Sequence, residues 1–310
     1  MICSTVRELD APLPTDCVET LRDFRLTVFH DASIQHEMKF LSACKNLTKV
    51  AFTLSSAANL ETIISYLSET STLQSVALSL DICDAILSWI LSNPSIKKLT
   101  VGAINNYHQL PIGIVAQKEE LVNTTLEKLK FLCIFDNHHI CNSTDRYDIF
   151  LHPNKYVTSL KQIRYDTLIS DNLAWIEDIG VPYSSLVRMS LDTQCYQSNL
   201  DIGRFEKLMT INQTLQYLTL GISICEQIKD VNLFVKLLDA SVSLQTIELI
   251  LRAGKSNLKN RLLKSNNYYQ SHVIGNFDNH HFFVRKNQDN NTQQGGFIKK
   301  SISYLKSFRK

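Results

Sequence analysis

The sequence predicts an α/β fold: a solenoid in which repeated strand, loop and helix units curve into a horseshoe, with a parallel sheet on the concave side and helices on the convex side. Three observations carry this expectation. A Leu or Ile opens the pattern apolar-x-x-apolar-x-apolar at Leu21, Leu47, Leu73, Ile96, Leu126, Leu160, Leu186, Leu215 and Leu244, at intervals of 23 to 34 residues. A Ser or Thr stands immediately before each opener except Leu47, which follows Asn46. Between these patterns the apolar spacing lengthens from two residues to three or four, as in Leu60, Ile63, Ile64 and Leu67, or Val231, Phe234, Val235 and Leu238.

Alternation of apolar and polar residues marks a strand with one buried side, so the apolar residues three and five after each opener define the strands. They run from Phe24 and Leu26 in the first unit to Ile247 and Leu249 in the last. The longer spacing marks one buried face of a helix. A single unit of this kind cannot bury its apolar side, and neighbouring units must stack to make a continuous core.

The junctions between units repeat as well. Asn93, Asn123 and Asn212 each stand three residues before an opener. With the opener pattern, they make residues 15 to 255 resemble leucine-rich repeats, and the helical returns resemble the ribonuclease-inhibitor-like class. That resemblance implies a binding scaffold. The position eight after the opener, where such repeats often carry Asn or Cys, here holds Phe29, Ser55, Asp81, Ile104, Ile134, Leu168, Gln194, Ser223 and Arg252. The loops are therefore expected to be irregular.

The expected organisation is a solenoid over 1–265, a polar linker or irregular cap over 266–296, and a basic amphipathic tail over 297–310. In the tail Ile298, Ile302 and Leu305 recur at helical spacing among Lys and Arg residues. Such a segment suits an end-cap, a partner's groove or an anionic membrane. From Gly254 onward eleven Lys or Arg face only Asp278 and Asp289, so an acidic solenoid precedes a basic end. Arg7, Glu8 and Asp10 break any signal-peptide core, and no apolar run approaches membrane-spanning length, which points to the cytoplasm. The eight cysteines include no C-x-x-C pair and read as small buried thiols. The sequons at Asn123 and Asn212 follow from the repeat junction and need no glycan.

Residues two and four after each opener alternate with the buried ones and face away from the core. Lys98, Lys128, Lys130, Arg164 and Arg188 occupy such positions in neighbouring units, with Asp166 and Asp192 each six residues after their openers and Tyr217 close by. These are the candidate contact residues. A row of cations suits an acidic protein partner, with charge setting association rate and discrimination. Nucleic acid is the weaker choice because Tyr217 is the one aromatic available for stacking bases.

No cofactor is expected. Phe-Asp-Asn-His-His occurs at 135–139 and 277–281, the first copy between Cys133 and Cys141, but the spacing matches no standard zinc pattern. Gly254, Lys255 and Ser256 resemble the end of a phosphate loop, yet Leu249 stands where that loop requires Gly. The chain is therefore read as a non-enzymatic scaffold. Two alternatives come from the resemblance. One is regulation of a small GTPase, since the Ran GTPase-activating proteins are similar in repeat type, although their tail is acidic. The other is a substrate receptor of a ubiquitin ligase, although Leu13 and Pro14 leave no room for F-box helices before Leu21.

Overall fold

The computed structural model describes residues 2–7, 18–28, 33–54, 59–79, 92–102, 123–132, 157–165, 186–191, 202–251, 257–265, 267–271 and 280–286. The chain is α/β and packs as two compact units, Met1–Thr167 and Leu168–Lys310, a division that the expected single body over 1–265 did not include.

In the first unit β1 (Ile2–Arg7), β2 (Asp23–Val28), β3 (Lys49–Leu54), β4 (Ser75–Ser79), β5 (Lys98–Gly102), β6 (Lys128–Leu132) and β7 (Gln162–Tyr165) pair in chain order, each parallel to the last. The register places equivalent positions side by side: Phe24, Val50, Val76, Leu99, Leu129 and Ile163 are successive partners. Leu21, Leu47, Leu73, Ile96, Leu126 and Leu160 are all fully buried. Each such side chain stabilises the fold by about 1.5–3 kcal/mol relative to exposure.

Two helices cover the buried face of this sheet. In α1 (Gln35–Ala43) the Phe40 ring lies 6.3 Å from that of Phe24, and in α2 (Leu60–Glu69) the Tyr66 ring meets Phe52 edge-on at 6.2 Å. The residues predicted to form a helix face at Leu60, Ile63, Ile64 and Leu67 lie in α2.

The junction residues explain their own recurrence. The hydroxyl before one opener donates to the carbonyl of the preceding opener: Thr72 to Leu47 (2.9 Å), Ser95 to Leu73 (2.7 Å), Ser159 to Leu126 (2.9 Å). Beside it, the Asn123 carboxamide oxygen accepts from the backbone N–H of Thr125 (2.8 Å) and Leu126 (2.6 Å), while its nitrogen donates to the carbonyl of Asn93 (3.4 Å). The backbone adds a third link. The carbonyl after each opener accepts two N–H groups of the next unit, as Arg22 does from Thr48 and Lys49, and Thr48 does from Gln74 and Ser75. A carbonyl has two lone pairs, so both bonds are satisfied together.

The second unit contains β8 (Arg188–Leu191), α3 (Ile202–Ile211), β9 (Tyr217–Leu220), α4 (Ile222–Gln227), α5 (Val231–Ala240), β10 (Thr246–Ile250), α6 (Asn257–Lys264), β11 (Tyr268–Ser271) and β12 (His280–Arg285). β8, β9 and β10 are parallel and keep the same register, with Met189, Leu218 and Ile247 as successive partners. Phe205 of α3 and Phe234 of α5 stack at 4.9 Å. The junction bonds recur: Thr214 donates to Leu186 (2.8 Å), and the Asn212 side chain accepts from Thr214 (2.9 Å) and Leu215 (2.6 Å). Asp230 caps α5 by accepting from the Leu233 N–H (2.9 Å).

Here the pattern ends in a hairpin. β12 runs antiparallel to β10, and β11 pairs antiparallel on its far side. Residues 266–296, expected as a polar linker or irregular cap, thus carry two regular strands within their described part. Their cause is apolar content: Phe283 is fully buried, and Phe282, Val284 and Tyr268 are buried beside it. Tyr268 Oη donates to the Leu238 carbonyl (3.0 Å), and the Arg285 guanidinium donates to the carbonyls of Asp239 (3.0 Å), Leu244 (3.3 Å) and Ser241. These groups satisfy carbonyls at the C-terminal end of α5 that no further helical turn could reach. The tail at 297–310 and the first Phe-Asp-Asn-His-His lie outside the described residues.

Candidate partner-binding face

A parallel strand pairs every interior residue through its backbone and sends alternate side chains to opposite faces. In the first unit one face is filled by the apolar positions and covered by α1 and α2. Two of the rows on the other face carry the charged residues. One row is Asp23, Lys49, Ser75, Lys98, Lys128 and Gln162; the other is Arg25, Ala51, Ala77, Thr100, Lys130 and Arg164, each residue pairing with the next across the sheet.

The structure brings four of the predicted residues together. Lys98 pairs with Lys128 across β5 and β6, and Lys130 pairs with Arg164 across β6 and β7. Lys98 is exposed, whereas Lys128, Lys130 and Arg164 are half-buried. Cations on adjacent strands sit about 4.8 Å apart along the ladder. Two residues on the same rows escaped the sequence reading: Lys49 and Arg25, the latter 3.9 Å from Asp23. Their spacing after the openers Leu47 and Leu21 equals that of the four and would have found them. Between the two cationic ends lie Ala51, Ser75 and Ala77, so the middle of this face is low.

Glu127 borders the cluster. Its carboxylate accepts from Lys161 Nζ at 2.8 Å, and chiefly this bond, with the charges of Lys161, Lys97 and Lys128, holds its pKa below the usual carboxylate value against the opposing effect of burial. Glu127 is therefore ionised at neutral pH and paired with Lys161, and with Lys97 and Lys128 beside it this edge stays cationic.

Arg188 corrects the sequence reading. It is only 7% exposed, and its guanidinium carbon lies 4.4 Å from the centre of the Tyr217 ring, its register partner on β9. A cation stacked on an aromatic face gains electrostatic attraction to the ring and loses contact with water. Arg188 is thus a packed component of the second unit and presents little charge to a ligand. Tyr217 keeps one side half-exposed. Asp166 and Asp192 lie outside the described residues.

The same face of the second unit carries a polar chain that the sequence did not reveal. Thr219 Oγ1 donates to Glu248 Oε2 (3.0 Å), and Glu248 Oε1 lies 2.8 Å from His280 Nδ1. His280 and His281 belong to the second Phe-Asp-Asn-His-His, and the two rings part company on alternate sides of β12. His281 Nδ1 lies 3.3 Å from Gln270 Nε2, and burial lowers its pKa, so that ring stays neutral. Among the described residues no group of three His, Cys, Asp or Glu side chains is placed to hold a metal ion.

A second cationic surface lies on the helix side of the second unit. Lys229, Arg261 and Lys264 line an open cleft of about 740 Å³ between the start of α5 and α6, together with Asp230. Asp230 is committed to capping α5. This cleft provides an internal comparison for any effect of positive charge alone. No family model and no curated protein matches the chain, so residue geometry carries the functional reading.

Proposed function

We propose that this chain is a leucine-rich-repeat solenoid of the ribonuclease-inhibitor-like class acting as a non-enzymatic scaffold, and that the strand face of β5, β6 and β7 binds an acidic protein partner. The junction hydrogen bonds and the register, in which residues at equal distances after successive openers are partners, support the repeat assignment. The observation that carries the binding reading is the pairing of Lys98 with Lys128 and of Lys130 with Arg164 on one face of adjacent strands. Charges of one sign held close together focus potential and steer an oppositely charged partner. The setting proposed is the cytoplasm, in keeping with Cys44 and Cys225, buried and reduced as thiols that donate to the carbonyls of Phe40 and Leu220. No helix among the described residues is long and apolar enough to cross a membrane.

The test is capture of partners from lysate by the wild-type chain and by a Lys98→Glu, Lys128→Glu, Lys130→Glu, Arg164→Glu variant, at one salt concentration and after circular dichroism establishes equal folding. The expected result is selective loss of acidic proteins, with affinity for a purified partner falling at least about tenfold, since four rim pairs of about 0.5 kcal/mol sum to that scale. An unchanged set of captured proteins would sink the reading.

A further inference from the structure

Resting on the acidic-partner reading above, we infer that the ligand of this face is an α-helix whose acidic side lies obliquely across β5, β6 and β7.

Backbone hydrogen bonding gives the first reason. An extended peptide binds a sheet by adding a strand to its edge, where unpaired N–H and C=O groups supply the affinity. Lys98 on β5 and Lys128 and Lys130 on β6 stand on interior strands, whose backbone groups are already paired with both neighbours. A segment lying over their side chains finds no backbone partner in the sheet. A helix satisfies its own backbone and brings only side chains to the contact.

Spacing gives the second. Crossing the strands, a ligand meets a new register position about every 4.8 Å. A helix places one residue on a given face per turn, about every 5.4 Å, whereas an extended chain does so about every 6.7 Å. The helix drifts by about 0.6 Å per strand and the extended chain by about 2 Å. The cations also shift from the row of Lys98 and Lys128 to the row of Lys130 and Arg164 on passing from β5 to β7, so the axis is inclined to the strands.

Relief gives the third. A helix is about 10 Å wide and needs a low surface to bring its acidic side down to the cations. Within the footprint the short Thr100 on β5 leaves such a surface beside Lys98 and Lys130, and Ala51, Ser75 and Ala77 on β3 and β4 let a longer helix continue past β5 toward Lys49.

The experiment uses the full chain and two synthetic peptides of the same composition and net charge. One carries Glu at i, i+4 and i+7 and is locked as a helix by a side-chain lactam bridge on its opposite face. The other carries Glu at i, i+2 and i+4 with Pro and Val residues that keep it extended. Affinities are measured by fluorescence anisotropy for the wild type, for the Lys98→Glu, Lys128→Glu variant, and for an Arg261→Glu, Lys264→Glu variant at the helix-side cleft. The inference predicts that the helical peptide binds at least about tenfold more tightly, that reversal at Lys98 and Lys128 removes this advantage, and that reversal at Arg261 and Lys264 leaves it in place. Equal or tighter binding of the extended peptide, still dependent on Lys98 and Lys128, overturns the helix while leaving an acidic partner standing. Binding of neither peptide, or binding indifferent to Lys98 and Lys128, overturns the inference together with the reading beneath it.

Discussion

The Arg285 guanidinium donates to the carbonyl oxygen of Leu244 at 3.3 Å, the position that a Ser or Thr hydroxyl of the next unit occupies at Leu47, Leu73, Leu126 and Leu186. The Arg285 backbone N–H likewise reaches Gln245 O (2.8 Å), the carbonyl equivalent to those that accept from a following unit. One residue of an antiparallel strand thus completes the hydrogen bonding of a parallel stack. Replacing it by Ala removes the guanidinium donor from the carbonyls of Asp239, Ser241 and Leu244, and each lost hydrogen bond costs about 0.5–1.5 kcal/mol. Arg285→Ala is expected to lower the thermal midpoint by several degrees and to speed hydrogen exchange in β10 and β12 before that in β2 and β3. Uniform exchange across both units would contradict this account.

Asn212 is expected to matter more than its polarity suggests. It is 4% exposed, and its single side-chain oxygen accepts from both Thr214 and Leu215. Asn212→Ala should destabilise by about 2 kcal/mol in urea unfolding, because two buried N–H groups lose their acceptor. Asn46, exposed and donating to the Glu19 carbonyl at 2.8 Å, should cost less than half as much when replaced by Ala. Equal effects at the two sites would mean that burial does not set the strength of the junction.

Charge reversal separates the two kinds of cation on the strand face. Lys98→Glu changes an exposed side chain and should leave the unfolding midpoint within about 0.5 kcal/mol of wild type. Arg188→Glu buries a carboxylate where a guanidinium now stacks on Tyr217, and should cost about 3 kcal/mol or more. If the two variants prove equally stable, Arg188 is a surface residue after all.

Tyr66 predicts an alkaline limit. Burial pushes its hydroxyl up to about 12 from the ordinary value of 10.0. The folded chain therefore holds a proton that the unfolded chain releases, so this contribution is intact below pH 10 and is lost as pH rises from 10 to 12. The loss reaches about 3 kcal/mol at most. Tyr66→Phe should flatten the decline in stability over that interval, as followed by denaturant unfolding at successive pH values; an unchanged slope would show that other groups govern it.

The nine openers were legible in the sequence because each is an aliphatic residue at a fixed distance from two others, and all nine are fully buried. β1 was not legible. Its register sets Cys3 beside Phe24 and Thr5 beside Leu26, so the positions that signal a strand elsewhere carry no large aliphatic residue. The β11 and β12 hairpin was hidden for another reason: the run Phe282, Phe283 and Val284 has no alternation, and its partner strand begins with two tyrosines. On the candidate face, the positions of Lys98, Lys128, Lys130 and Arg164 followed from alternation alone. The withdrawal of Arg188 depended on which residue stands beside it on the next strand, information that a repeat spacing does not contain.

The hydrogen bonds that join one unit to the next use backbone groups and the side chains one and three residues before each opener, while the strand face uses the side chains two and four residues after it. On the reading proposed here, cohesion and recognition fall on different positions of the recurring pattern. In the first unit, residues on the face of β3 to β6 can be exchanged one at a time without disturbing those junction bonds, so a new binding preference is reachable there by point substitutions alone; in the second unit Thr219, Glu248, Arg188 and Tyr217 also hold neighbours together and must be kept.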